Sequence, residues 1–251
     1  MAASFDLSGR VALVTGANRG IGQAISLALA AAGADLVAVG QSAPTDTLAA
    51  TSALGRKAHF IAADLGSIEP LERVVSSALA AAGRIDILVN NAGIIRRADA
   101  VDFTEKDWDD VLDINLKSMF FLCQRVGRHM LERGSGKIIN VASMLSFQGG
   151  IRVPSYAASK SGVAGITRAL ANEWAGKGLN VNAIAPGYVA TDNTAQLRAD
   201  PDRSRAILER IPAGRWATAD DIGGAAVFLA SPASDYVNGH ILAVDGGWLA
   251  R

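Results

Sequence analysis

Short apolar runs rich in β-branched residues alternate along the chain with longer, alanine-rich segments of helical period. The runs cover residues 10–15, 35–39, 58–63, 86–90, 137–142, 180–185 and 241–244. Runs of this kind are typical of strands that are covered on both faces. Because strands that alternate with helices form parallel sheets, the pattern predicts an α/β fold. We expect a doubly wound, Rossmann-type sheet of seven parallel strands with helices on both faces.

The segments between the runs predict helices with one apolar stripe. The main ones cover residues 20–33, 68–83, 106–133, 155–178 and 218–231. Neither an internal repeat nor a low-complexity linker divides residues 1–251, so we expect a single domain. One connection, at about residues 187–215, is long, polar and charged. Connections of that length inside a domain are usually functional, and this one predicts a lid over a substrate site.

Composition narrows the classes of partner. The chain has 24 basic and 24 acidic residues without a long run of either sign, which argues against nucleic acid or anionic membrane as a partner. Its one cysteine, Cys123, can form neither an internal disulfide nor a metal cluster. The start of the chain lacks the pattern of a secretory leader, and no apolar stretch is long enough for a membrane span. We therefore expect an unprocessed cytoplasmic protein without a metal.

A glycine-rich turn follows the first predicted strand and leads directly into a helix. It reads TGANRGIG, with glycines at positions 16, 20 and 22. Such a turn at a helix N-terminus can bind the pyrophosphate of a dinucleotide, although alone it is also consistent with a simple tight turn. The acid that usually binds the NAD ribose after the second strand is missing. Gln41 could bind that ribose and Arg19 could meet a 2′-phosphate, so these residues leave NAD and NADP both open.

Polar side chains stand where predicted strands end, at the edge where open parallel sheets bind ligands. The fourth strand ends in NNAG, residues 90–93, and Ser143 follows the fifth strand. Asn115 interrupts an apolar helical pattern. Taken singly, these residues are equally typical of turns, caps and locally bonded amides.

Tyr156 and Lys160 lie four positions apart in the segment SYAASKSGVAG, which is otherwise made of small residues. That spacing places both side chains on one face of a helix. A tyrosine that acts as a base near pH 7 needs its pKa lowered by about three units, or roughly 4 kcal/mol, and a neighbouring ammonium can contribute to that shift. The alternative is an ordinary surface pair.

Over essentially its whole length, the chain resembles the short-chain dehydrogenase/reductases. The resemblance lies in the combination and order of TGANRGIG, NNAG, Asn115, Ser143, YAASK, the PG at 186–187 and the VDGG at 244–247. The resemblance implies that Tyr156 is the general acid/base, that Lys160 lowers its pKa and binds the nicotinamide ribose, that Ser143 orients the reacting oxygen and that Asn115 holds a relay water. The cofactor residues that it implies are Gly16, Asn18, Arg19, Gly20, Ile21, Gly22, Gln41, Asp64, Leu65, Asn91, Ala92, Gly93, Tyr156, Lys160, Pro186, Gly187, Val189 and Thr191.

A narrower resemblance involves SMLSFQGGIRVPSY, RIPAGRW and the C-terminal AVDGGWLAR. These segments resemble the members of the family that act on 2-dehydro-3-deoxy-D-gluconate in hexuronate breakdown, some of which are assigned to 2-deoxy-D-gluconate. A sugar acid needs a carboxylate partner, and arginine suits that role. Arginines near the expected pocket are Arg96, Arg97, Arg152, Arg198 and Arg215, of which Arg152 is our first hypothesis. Ser143, Met144, Gln148 and Tyr156 complete the expected substrate contacts, and Gln196 or Arg198 of the lid would approach them.

Three alternatives remain at this point. The same scaffold could serve a gluconate 5-dehydrogenase or a 3-oxoacyl reductase, or the protein could be a non-catalytic dinucleotide sensor, which would be expected to lack Ser143, Tyr156 or Lys160. The narrower resemblance favours NAD(H), with NADP(H) possible. The family resemblance also implies paired-helix association, most simply a homotetramer, or else a dimer.

Overall fold

The core is one parallel sheet with an apolar layer on each face. In the computed structural model, which describes residues 4–251, seven strands lie in the order β3-β2-β1-β4-β5-β6-β7. They are β1 (Val11–Thr15), β2 (Asp35–Gly40), β3 (Ala58–Ala62), β4 (Ile87–Asn90), β5 (Gly136–Val141), β6 (Leu179–Pro186) and β7 (Ile241–Val244). The predicted fold class is confirmed. The expectation of an unprocessed start depends partly on residues 1–3, which lie outside the described residues.

The part of the chain described contains nine α-helices, most of which cover the sheet. They are α1 (Gly20–Ala31), α2 (Thr45–Ala53), α3 (Leu71–Ala82), α4 (Glu105–Leu112), α5 (Met119–Arg133), α6 (Pro154–Trp174), α7 (Ala195–Ala199), α8 (Pro201–Arg210) and α9 (Asp220–Ala230). Between residues 4 and 251 no helix combines the length and the apolar character that a membrane crossing requires.

Alternate residues of each strand enter opposite layers of the core. Val11 and Leu13 of β1 pack in the layer that contains α3, α5 and α6, whereas Ala12 and Val14 pack in the layer that contains α1 and α9. Because both faces are covered, the strands are apolar at nearly every position. This is why the sequence shows unbroken apolar runs rather than alternation.

The helices differ from expectation in two places. The sequence did not predict α2, whose only buried residues are Thr47 and Thr51, so it lacks an apolar stripe. Its Thr47 hydroxyl donates to Ala17 O (2.8 Å), which ties α2 to the glycine-rich turn. The predicted helix over 106–133 is helical throughout, but a π-helical segment, Asp113–Ser118, lies between α4 and α5. A wider turn of this kind often occurs at functional sites.

A buried carboxylate joins three elements at the end of the sheet opposite the ligand-binding edge. Asp86, which is 3% exposed, accepts hydrogen bonds from Arg84, Arg133 and the backbone N–H of Val11. Arg10 Nη1 lies 3.7 Å from the same carboxylate. Burial raises the pKa of Asp86, but these hydrogen bonds outweigh burial and hold it below its ordinary value. The charged form is therefore the one that stabilises the fold.

Replacement of Asp86 by Ala is expected to lower the free energy of unfolding by about 3 kcal/mol, because it leaves partly buried arginines without their partner. The exposed Asp109, changed to Ala, serves as the control. Since the folded pKa of Asp86 is depressed, its contribution is complete above the ordinary carboxyl pKa and is lost as the pH falls through the folded value. Urea titrations at neutral and acidic pH should therefore show a difference between wild type and variant that shrinks in acid.

The connection between β6 and α9 contains α7 and α8. We call residues 187–215 of this connection the lid segment. Ile207 and Ile211 of the segment pack with Met144 and Trp248 in a small separate apolar cluster. The lid segment thus lies against the loop that leaves β5, which is the loop that carries Ser143.

Candidate active site

A cavity of about 600 Å³ opens at the carboxyl ends of the strands, next to the switch point between β1 and β4. Open parallel sheets bind their ligands at such a point, and the volume is that of a small-molecule site. Most residues predicted for the cofactor line it, namely Gly16, Asn18, Arg19, Gly20, Ile21, Gly22, Gln41, Asp64, Leu65, Asn91, Ala92, Gly93, Tyr156, Lys160 and Thr191.

The glycine-rich turn has a geometry that only glycine allows. Gly16 and Gly20 have φ angles of +67° and +55°, in the left-handed region. A Cβ on Gly22 would lie 2.1 Å from Gly16 O and 2.3 Å from Asn91 Nδ2. The Asn91 amide holds the turn in place by donating to Thr15 O (3.0 Å) and Gly16 O (3.1 Å). The result is a rigid cradle at the N-terminus of α1 that fits a dinucleotide pyrophosphate.

The end of β2 carries no acid. Gly40, Gln41 and Ser42 line the cavity there. The hydrogen bond from the backbone N–H of Gly66 (2.8 Å) and, to a smaller extent, the side chain of Gln41 hold the pKa of Asp64 below its usual range. Asp64 is therefore charged and already partnered next to the end of β2, where the dinucleotide-binding pattern would place the adenosine; we call this part of the cavity the adenosine end.

Tyr156 and Lys160 share the face of α6 that borders the cavity. Lys160 is 4% exposed, and its Nζ donates to Val141 O (2.6 Å) and lies 5.5 Å from the centroid of the Tyr156 ring. Burial lowers the pKa of Lys160 to about 8. Burial also raises the pKa of Tyr156, while the Ser143 hydroxyl and the positive charge of Arg97 act in the opposite direction. Burial thus favours the protonated phenol, the form that can donate a proton.

Asn115 lies in the π-helical segment and is almost fully buried. Its side chain accepts from Ile94 N (2.8 Å) and donates to Ile94 O (2.9 Å), as a neighbouring strand would. It also donates to Ser159 Oγ (3.2 Å), and Ser159 donates to Tyr156 O (2.8 Å). The amide therefore links the loop after β4 to the first turns of α6.

The expected substrate residues lie around the loop between β5 and α6. Ser143 accepts from Leu145 N (3.1 Å), and Met144 is buried beneath the lid segment. Gln148 Oε1 accepts from Arg210 of α8 and from the Trp248 indole, both at 3.3 Å. The loop therefore contacts both the lid segment and the C-terminal turn.

The five candidate arginines divide into two groups. Three form ion pairs with carboxylates: Arg96 with Asp107 and Asp110, Arg152 with Asp99, and Arg215 with Asp221. The other two donate to backbone carbonyls of the lid segment, Arg97 to Asn193 O (2.9 Å) and Arg198 to Thr191 O (3.1 Å). Arg97 is also the arginine whose charge acts on the Tyr156 phenol.

Known proteins share both the sequence and this architecture. A family model described as enoyl-(acyl carrier protein) reductase matches residues 16–249. A 2-dehydro-3-deoxy-D-gluconate 5-dehydrogenase of Dickeya dadantii is 60% identical over 249 residues, which is 99% of this chain and 98% of the relative. The chain belongs to the short-chain dehydrogenase/reductase family. As a member of this family, it is an oxidoreductase that uses a nicotinamide dinucleotide.

Solved structures agree with the family assignment. A protein of Agrobacterium tumefaciens, provisionally named a 2-deoxy-D-gluconate 3-dehydrogenase and solved with NADP, is 60% identical. Its TM-score is 0.92, with 98% of this chain and 99% of that chain covered. A gluconate 5-dehydrogenase of Burkholderia cenocepacia, in complex with NADP and tartrate, is 39% identical with a TM-score of 0.94 and covers 99% of this chain and 98% of its own.

Two groups of residues differ from the predicted dinucleotide site of this short-chain dehydrogenase/reductase. Pro186, Gly187 and Val189 are not among the residues that line the cavity; Gly187 instead packs closely against Asp245. Asp192 and Asn193 do line the cavity but were not predicted. The only indication in the sequence is that both residues directly follow Thr191. Nothing in the local sequence shows that these polar lid residues face the glycine-rich turn.

Proposed function

We propose that this short-chain dehydrogenase/reductase interconverts 2-dehydro-3-deoxy-D-gluconate and 3-deoxy-D-glycero-2,5-hexodiulosonate in uronate breakdown. The observation that carries the proposal is the placement of Arg97, whose guanidinium donates to Asn193 O (2.9 Å) at the cavity that Asn193 and Tyr156 both line. An anionic substrate whose carbonyl lies at Tyr156 would find its counter-ion there. The near full-length identity with enzymes of that activity supports the same substrate.

The residues of the chain divide the work of the reaction. The bound dinucleotide supplies or accepts the hydride. Tyr156 donates its phenolic proton to the carbonyl oxygen during reduction and takes a proton from the hydroxyl during oxidation. Ser143 orients that oxygen, and Lys160 holds a positive charge beneath the ring, which favours the phenolate that oxidation requires. Asn115 fixes the loop after β4 against α6 and so maintains the distance between Tyr156 and the cofactor.

We expect Arg97 to be the more important carboxylate partner, with Arg152 as the other candidate. Arg97→Gln should raise KM for the keto acid about ten- to a hundredfold, the value of a lost charge-assisted hydrogen bond. KM for an uncharged keto sugar of the same length should hardly change. Arg152→Gln is the matched control, because Arg152 is paired with Asp99 (2.9 Å). A KM increase confined to Arg152→Gln would transfer the role to Arg152.

The substrate itself is tested by a direct assay. Purified protein is supplied with NADH or NADPH and the diketo acid, and in parallel with gluconate or 2-deoxygluconate and the oxidised cofactors. The highest kcat/KM should be obtained with the diketo acid. Turnover of gluconate alone would replace the proposal by a gluconate 5-dehydrogenase, and absence of turnover with every sugar acid would overturn it.

Four further properties complete the proposal. We expect a preference for NAD(H), a cytoplasmic location, a homotetramer, and closure of the lid segment over the substrate. The location is supported by Cys123, a buried free thiol whose pKa burial raises to about 12.

Association is supported by small exposed residues on α6, namely Ala158, Ser161 and Gly165. Light scattering tests the tetramer, and protection of the lid segment from protease by cofactor and substrate tests the closure.

A further inference from the structure

An ion pair crosses the mouth of the cofactor cavity. Arg19 Nη1, from the glycine-rich turn, lies 2.7 Å from Asp192 Oδ2, at the start of the lid segment. The two residues are 173 positions apart in the chain. Both side chains line the cavity, yet they are 73% and 72% exposed, so solvent and small ligands can reach them.

Asp192 is held in this position by its neighbours. Thr191 and Thr194 form a reciprocal capping box around it. The carbonyl of Asn193, the next residue, accepts a hydrogen bond from Arg97 (2.9 Å). The Thr191 methyl group packs close to Gly20: a Cβ placed on Gly20 would lie 3.3 Å from that methyl carbon. The carboxylate is therefore presented to Arg19 by a fixed backbone.

Arg19 is also the cation available to a phosphate at the adenosine end. Among the described residues that line the cavity, the cations are Arg19 and Lys160, and Lys160 is buried beside Tyr156. The end of β2 offers Gly40, Gln41 and Ser42, none of which is charged, and the acid next to them, Asp64, is bonded to the backbone N–H of Gly66. In dinucleotide sites of this kind, a nearby arginine is what accommodates that phosphate. One guanidinium thus has two possible anionic partners.

We propose that Asp192 weakens the binding of NADP(H), but not of NAD(H), by competing with the 2′-phosphate for Arg19. NADP(H) must displace the carboxylate to use Arg19, whereas NAD(H) leaves the pair intact. Asp192 accordingly shifts the preference of the site towards NAD(H). The inference depends on the dinucleotide part of the proposed function and not on which sugar acid is the substrate.

The test is equilibrium binding of NADP⁺ and of NAD⁺ by calorimetry, without substrate. Asp192→Asn should lower the Kd of NADP⁺ about two- to fivefold, the range for an exposed ion pair, and should change the Kd of NAD⁺ by less. Asp202→Asn is the matched control. It removes another exposed carboxylate of the lid segment, one that pairs with Arg205, and should leave both Kd values unchanged.

A double variant shows whether Asp192 acts through Arg19. In an Arg19→Gln background, Asp192→Asn should no longer improve NADP⁺ binding, because the shared partner is absent. Equal tightening of both cofactors by Asp192→Asn would indicate a general effect of the lid segment and would overturn the proposal, as would no change for NADP⁺. Because no sugar acid is present, failure of the substrate proposal leaves this result interpretable.

Discussion

Tyr156→Phe is expected to lower kcat by at least about a thousandfold, because it removes the one group placed to transfer a proton to the reacting oxygen. The ring itself should remain in place, since it lies on Lys160 and on the face of α6 that borders the cavity. Dinucleotide binding should therefore change little. The two quantities to measure are kcat in the direction of keto-acid reduction and the Kd of the cofactor.

Tyr236→Phe is the matched control for this variant. Tyr236 is fully exposed, so loss of its hydroxyl should leave kcat unchanged. If Tyr156→Phe retained more than about a tenth of the wild-type kcat, another group would have to supply the proton. If kcat and cofactor binding fell together, the variant would have disturbed the site as a whole, and the assignment of the phenol would lose its support.

Gly22→Ala is expected to disrupt the cofactor cradle. The added methyl would lie 2.1 Å from Gly16 O and 2.3 Å from Asn91 Nδ2, the two atoms whose hydrogen bond holds the turn in place. The turn has to move, at a cost of about 1–3 kcal/mol for overpacking. We therefore expect a lower melting temperature and at least about tenfold weaker binding of both dinucleotides, since the displaced N–H groups no longer converge on the pyrophosphate.

Gly224→Ala separates the steric effect from helix propensity. Gly224 is also a helical glycine, in α9, but a Cβ there would meet nothing within 4 Å. The substitution should leave binding unchanged and raise stability by up to about 1 kcal/mol. Binding by Gly22→Ala at wild-type affinity would show that the turn is more adaptable than its geometry indicates.

Much of the site could be predicted because its signals are local. A buried strand needs apolar residues on both faces, and a tight anion-binding turn needs glycine at fixed offsets, so the sheet and the cradle are visible in short windows. Tyr156 and Lys160 share a helical face through the α-helical period alone. By contrast, α2 was missed because two buried threonines give no apolar period.

Other features had no local signal. The π-helical segment contains Asn115, whose side chain bonds the backbone of Ile94, a residue 21 positions away. The partner of Arg152 is Asp99, and the charge of Arg97 reaches Tyr156 only because the loops after β4 and β5 meet. Backbone bonding from Ala98 N to Arg152 O (3.2 Å) joins these two loops.

The sequence by itself determined the parallel sheet, the glycine-rich turn and the pairing of a phenol with an ammonium, because each depends on periodicity or spacing within one element. Only the tertiary structure decided which arginine approaches the phenol and which acid holds Arg19. Those contacts depend on where loops of different length meet above the sheet. Exposed charged side chains in these loops can form ion pairs with several partners at similar interaction energy, so no short stretch of sequence specifies which pair forms.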